Sequence, residues 1–168
     1  MSTLTKSEIE RKAHQTLIEH GMFCIPVDPV VIANRLGIRV SNAVFSDSSL
    51  SGMIAQRGEK KLLLVNNNDS AERKRFTIAH ELGHSILHLD NAGEFVDSAT
   101  DLFRTEALPD GNTYHQEVEA NAFAAALLMD AELVKMQWDT CKSLDTMAKA
   151  FMVSESAMGI RLNNLGLT

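Results

Sequence analysis

Ile9, Ala13 and Leu17 recur at four-residue spacing behind Thr5, and Glu8 stands three positions after that threonine. A threonine and glutamate so spaced can each accept from the other's free backbone N–H, so the pattern predicts a capped helix that runs until Gly21. Asp28 and Pro29 give a cap and a first-turn proline, predicting a short helix to Leu36 that stops at Gly37. Residues 38–45 read as extended and 46–51 as a turn. Strands are expected near 52–56 and 61–65, with Gly58 in the turn between them. Asp69 and Glu72 predict a further helix running to about Leu89. Residues 90–112 contain Gly93, Pro109 and Gly111 and show no sustained period, the signature of a long and often functional loop. A strong helix is expected over 115–135, then two short ones over 143–165, broken near Val153.

The pattern predicts an α+β fold, mainly helical, with a small β-sheet and a C-terminal pair of helices resembling a helix-turn-helix. Residues 1–138 are expected to form the main unit, and 139–168 a helical appendage packed on it. At 168 residues the chain has the size of one ordinary domain. Apolar residues make up 45% and charged residues 23%, a globular balance. The formal charge of −6 argues against a protein that grips phosphates, so direct nucleic-acid binding is not expected. Cys24 and Cys141 are far apart and outside any CxxC pair, which points to a reducing compartment. The opening MSTLTKSEIERKAH has charges where a signal peptide needs an apolar stretch. The apolar run 122–129 is far short of the roughly 20 residues that span a bilayer. A soluble, cytoplasmic protein is the expectation.

The chemistry concentrates in Phe76-Thr-Ile-Ala-His80-Glu81-Leu-Gly-His84. Residues i and i+4 are neighbours on a helix, so the two imidazoles can converge on one cation, and zinc suits them. Glu81 follows the first histidine and can take a proton from the attacking water. Ala79, Leu82, Gly83 and Ile86 form a strip that seats the helix on the core. A third ligand is needed. His88 extends the row, but a straight helix sets it about 12 Å from His80. Glu117, on a downstream helix with Ala120, Asn121, Ala124 and Leu128 on the same face, is the better candidate. Asn121, one turn on, would orient a histidine. Glu119 lies about 200° round from Glu117 and is expected to be a solvated charge. A set of two histidines and one carboxylate also suits manganese or iron.

The segments FTIAHELGHSILH, EVEANAFAAALLM and VSESAMGIRLNNLGL, with the earlier PVDPVVIANRLGI, resemble the ImmA/IrrE family of metallopeptidases. The resemblance covers most of the chain and implies a zincin-like fold, a Zn2+ cofactor and endopeptidase activity. It also implies that the substrate is a protein, a transcriptional repressor of the helix-turn-helix type whose cleavage switches on stress-response, phage or mobile-element genes. Carried over, His80 and His84 match the metal-binding histidines, Glu81 the catalytic glutamate and Glu117 the first glutamate of an ExxAN stretch. Many relatives continue LLMP where this chain has Leu127-Leu-Met-Asp130, so the following turn is expected to differ.

Tyr114 and His115, just before the ligand helix, are candidates for a substrate or transition-state contact. The strand at 61–65 is a candidate sheet edge for an extended substrate or, equally, a plain core strand, and Phe95, Phe103 and Arg104 in the long loop are candidate substrate contacts. Two rival readings stand beside the protease. Residues 144–157 resemble a helix-turn-helix, but the second helix offers only Glu155, Ser156 and Arg161 for reading DNA. The zinc fold could instead serve as a binding or sensing module, or as a toxin–antitoxin component, with little intrinsic proteolysis.

Overall fold

Thr5 and Glu8 form the reciprocal cap, each side chain accepting from the other's backbone N–H, and helix α1 runs from Lys6 to Glu19. Asp28 accepts from the Val30 N–H and starts α2, Pro29–Arg35. Gly21 and Gly37, just past the two helix ends, have φ of +57° and +75°, which only glycine adopts without strain. The computed structural model describes residues 3–47, 49–57, 60–88 and 111–168. Gly58, Leu89, Phe95, Phe103 and Arg104 therefore lie outside the described residues.

Strands β1 (Ile38–Ala43), β2 (Gly52–Arg57) and β3 (Lys60–Asn66) form one sheet in the order β1-β3-β2. β3 pairs parallel with β1 and antiparallel with β2. Of the two readings of 61–65, sheet edge or core strand, the structure therefore has the core strand. Both sides of its backbone are occupied, and an added strand could pair only with β1 or β2.

Helix α3 spans Ala71–Leu87 and begins one residue later than Asp69 would place it. Ser70 is the cap and accepts from the Arg73 N–H. The helix also ends early, with His88 as its C-cap. Helix α4, Gly111–Leu128, starts inside the stretch expected to be a loop. The single helix expected over 115–135 is two. Asp130 leaves helical geometry and accepts from the N–H groups of Glu132 and Leu133, capping α5, Ala131–Cys141. Aspartate outcompetes continuation here because its carboxylate satisfies two donors that a new helix would otherwise leave bare. It also takes His14 Nδ1 at 2.9 Å.

Helices α6 (Leu144–Phe151) and α7 (Glu155–Asn164) flank Val153, as the spacing predicted. Phe151, Met158 and Leu162 join the same buried cluster as Leu17, Leu63, Leu82 and Phe123. Arg161 is turned inward: its guanidinium pairs with Glu10 and donates to the Met129 carbonyl at 2.8 Å. The one basic residue available to a DNA-reading α7 is therefore spent on the core. Lys149, on α6, is paired with Asp145. Arg75 ties α3 to this end of the molecule through the carbonyls of Val27, Phe151 and Met152.

Candidate metal centre

Gly83 decides how closely α3 and α4 approach. A Cβ on Gly83 would lie 3.0 Å from the Ala120 Cα and 3.1 Å from the Ala120 carbonyl oxygen. The helices thus meet backbone to backbone, and side chains either side of Gly83 reach α4. His80 and His84 are one turn apart on α3, and Glu117 faces them from α4. The Nε2 atoms of His80 and His84 are 3.0 Å apart. Glu117 brings one carboxylate oxygen to 3.1 Å from His84 Nε2 and the other to 3.3 Å from His80 Nε2. A tetrahedral ion with bonds of about 2.1 Å spaces its ligand atoms about 3.4 Å apart, so this set is close to the required size.

His80 Nδ1 is 2.9 Å from the Asn121 side-chain oxygen. An amide oxygen only accepts, which assigns the proton to Nδ1 and leaves a lone pair on Nε2. That lone pair, the second imidazole and a carboxylate then point at one place. Three electron-rich atoms crowd together at low cost only if a proton or cation sits among them, so the donor set fits a divalent metal. Burial pushes the Glu117 carboxyl up, but the hydrogen bonds and charges of His80 and His84 outweigh it and hold the group at about 2. Glu117 is an anion at neutral pH. His80 and Glu81 are fully buried, while Glu117 is one-third exposed, so the group opens to solvent on the α4 side.

Tyr114 and His115 sit on α4 three and two residues before Glu117, both exposed, with their rings 5.9 Å apart. His88, beyond the row, places its ring 5.7 Å from that of His84. Glu119 is not a solvated charge. It is buried, accepts from the Leu4 backbone N–H at 2.7 Å and faces His88 Nε2 at 3.8 Å. The helical angle that separates it from Glu117 turns it toward the first residues of the chain and the end of α3. No local signal marks that partner, since Leu4 is 115 positions away. Burial, with the neighbouring His84, pushes the His88 imidazole below its ordinary value.

Two histidines one turn apart and a carboxylate from a second helix, with a buried glutamate next to the first histidine in the chain, make a group that could hold a metal ion. A peptidase family described as the IrrE N-terminal-like domain matches residues 33–163, and the chain belongs to that family. The radiation response metalloprotease IrrE of Deinococcus radiodurans is 34% identical over 105 residues, covering 59% of this chain and 30% of that protein. Its namesake from Deinococcus deserti is 38% identical over 78 residues, 45% of this chain and 25% of that protein. An uncharacterized immunity region protein 2 of Bacillus phage phi105 is 33% identical over 88 residues, 52% of this chain and 50% of its own length. The chain thus spans under a third of the two IrrE proteins. A solved structure, a Mycobacterium tuberculosis transcriptional regulator, shares the fold with a TM-score of 0.67 at 16% identity, over 93% of this chain and 46% of that one. Family membership implies a metal ion, and His80, His84 and Glu117 form a group that could hold one. Among the described residues, no helix is long and apolar enough to cross a membrane.

Proposed function

We propose that this chain is a zinc-dependent endopeptidase of the cytoplasm, acting on a protein substrate, a transcriptional repressor of the helix-turn-helix type. The observation that carries the reading is the meeting of His80 Nε2, His84 Nε2 and the Glu117 carboxylate, all within 4.8 Å of one another, beside the buried Glu81. His80, His84 and Glu117 would hold the ion, with Asn121 keeping the His80 lone pair aimed at it. Bound there, zinc supplies Lewis-acid polarisation of a carbonyl and makes water more acidic. Glu81 takes the proton of the attacking water on its carboxylate and returns it to the departing amine nitrogen. Its buried setting keeps that carboxylate out of bulk water. Exposed and one turn before Glu117, Tyr114 is the better placed of the two candidates for a substrate contact, while His115 lies about 200° round the helix from Glu117.

Relatives named for radiation response and for a phage immunity region support a regulatory substrate, and so does a neighbour in fold titled a transcriptional regulator. Co-expression with a helix-turn-helix repressor encoded beside it tests the proposal. Cleavage that disappears in Glu81→Gln is the expected result. An intact repressor held tightly by the wild-type chain would instead make it a binding module.

A further inference from the structure

The two flanks of Glu117 on α4 differ. Ala120 and Phe123, about 60° and 120° round the helix in one direction, are buried where Gly83 meets α4. Tyr114 and Val118, about 60° and 100° round in the other direction, are large apolar side chains left 49% and 48% exposed. The exposed third of the Glu117 side chain therefore opens toward Tyr114 and Val118. These two begin a longer apolar row. Tyr114, Val118, Ala122, Ala125 and Met129 follow at spacings of four, four, three and four, which keeps them on one face. The row sinks along its length: Ala122 and Ala125 are half-buried, and Met129 is buried. Its far end borders a surface cavity of about 140 Å³, lined as well by Ile9 of α1 and by Ala157 and Ile160 of α7. Alanine at 122, 125 and 157 leaves this room, and Ile160 beside it is 62% exposed. Glu10 and Arg161, also in the wall, are paired with each other, so the cavity suits an apolar guest. An apolar cavity of about 150 Å³ takes a benzene ring, so a leucine or phenylalanine side chain has room here.

We propose that this face of α4 docks the protein substrate, with one large apolar side chain of that substrate anchored in the cavity between α1, α4 and α7. The inference rests on the peptidase reading above. The row starts beside the exposed side of a metal ligand and runs on without a break to the cavity, so the chain held at the metal is the chain that covers it. A contiguous apolar surface of this kind marks a contact with a partner. Ala122 and Ala125 lie about 8 and 12 Å along the helix axis from Glu117, the span of about two to four residues of extended chain. The anchor residue therefore stands within about four residues of the bond that is cut, and Tyr114 and Val118 receive the side chains between. Selection among substrates then depends on where apolar residues fall beside the cut bond.

The test is calorimetric binding of the helix-turn-helix repressor encoded beside this chain, in a zinc-loaded Glu81→Gln parent that holds the repressor without cutting it. The parent is compared with the same protein carrying Val118→Ser, Ile160→Ser or Ala122→Leu. Each serine removes exposed apolar surface, and the leucine fills the cavity. Repressor affinity should fall roughly three- to tenfold for each serine variant, the worth of half-burying one aliphatic side chain, and at least as far for Ala122→Leu. Zinc affinity and unfolding temperature should stay near those of the parent. Val118 and Ile160 are exposed, so their variants keep the fold and decide the matter if Ala122→Leu does not. Repressor affinity within about twofold of the parent in both serine variants overturns the inference. So does a loss matched by an equal loss of zinc affinity, or a parent that does not bind the repressor. Cleavage by the wild-type chain is followed separately: a repressor that is bound but never cut sinks the peptidase reading, while the variants still judge the docking face.

Discussion

Replacing Gly83 by alanine adds one methyl group at the point where α3 and α4 touch. That methyl would sit 3.0 Å from the Ala120 Cα, 3.1 Å from its carbonyl oxygen and 3.3 Å from the Phe123 Cβ. Such contacts are tighter than ordinary van der Waals packing, so the gap must open by a few tenths of an ångström. Two of the three obstructing atoms are backbone and cannot rotate aside, so the helices themselves must part. Ala120 is three residues from Glu117 and next to Asn121, and both travel with it. Metal sites tolerate ligand displacements of only about 0.2 Å, so zinc affinity should fall roughly tenfold or more. Stability is a contest. Alanine gains about 1 kcal/mol over glycine in a helix, while overpacking costs about 1–3 kcal/mol. A net loss of about 1 kcal/mol is the middle of that range, and urea unfolding of the metal-free protein reads it. If Gly83→Ala binds zinc like wild type and unfolds at higher urea, alanine's helix preference has won, and close approach at Gly83 does not set the site.

Glu117→Ala should leave a folded protein whose zinc content at micromolar concentration drops from about one per chain to near zero, read by elemental analysis. Asn121→Ala takes away the acceptor for the His80 Nδ1–H, and zinc affinity by chelator competition should fall roughly 10–100-fold. Retained affinity would show that His80 needs no help with its orientation. Asp130→Ala leaves the α5 N–H groups without their acceptor and His14 without its partner, at a cost of about 1–2 kcal/mol in urea unfolding, far from the metal and without effect on it.

Features set by local chemistry were legible in the sequence, and those set by distant partners were not. The Thr5–Glu8 box, the Asp28–Pro29 start and the break at Val153 follow from groups within a few residues of each other. The His80–His84 pairing follows from helical spacing in the same way. Glu117 needed more, an inference that two helices bearing small residues would pack face to face. Sheet order is different. Nothing within 61–65 says that β1 will pair on its far side, so the segment alone does not separate a central strand from an edge. The burial of Glu119 depends on Leu4 and that of Arg161 on Glu10, 151 positions away, and neither shows in a local window. Where Ser70 and Asp69 both qualify as caps, only the path of the chain into α3 chooses between them. Asp130 stands out as a departure from the family pattern, but apolar spacing alone runs the helix it starts into the one before it.

The most direct test is an anomalous-difference map at the zinc edge from crystals of wild-type protein grown with zinc. One strong peak per chain is expected, enclosed by His80 Nε2, His84 Nε2 and the Glu117 carboxylate. No peak there in zinc-replete crystals, or a peak held by His88 and Glu119 in its place, would contradict it.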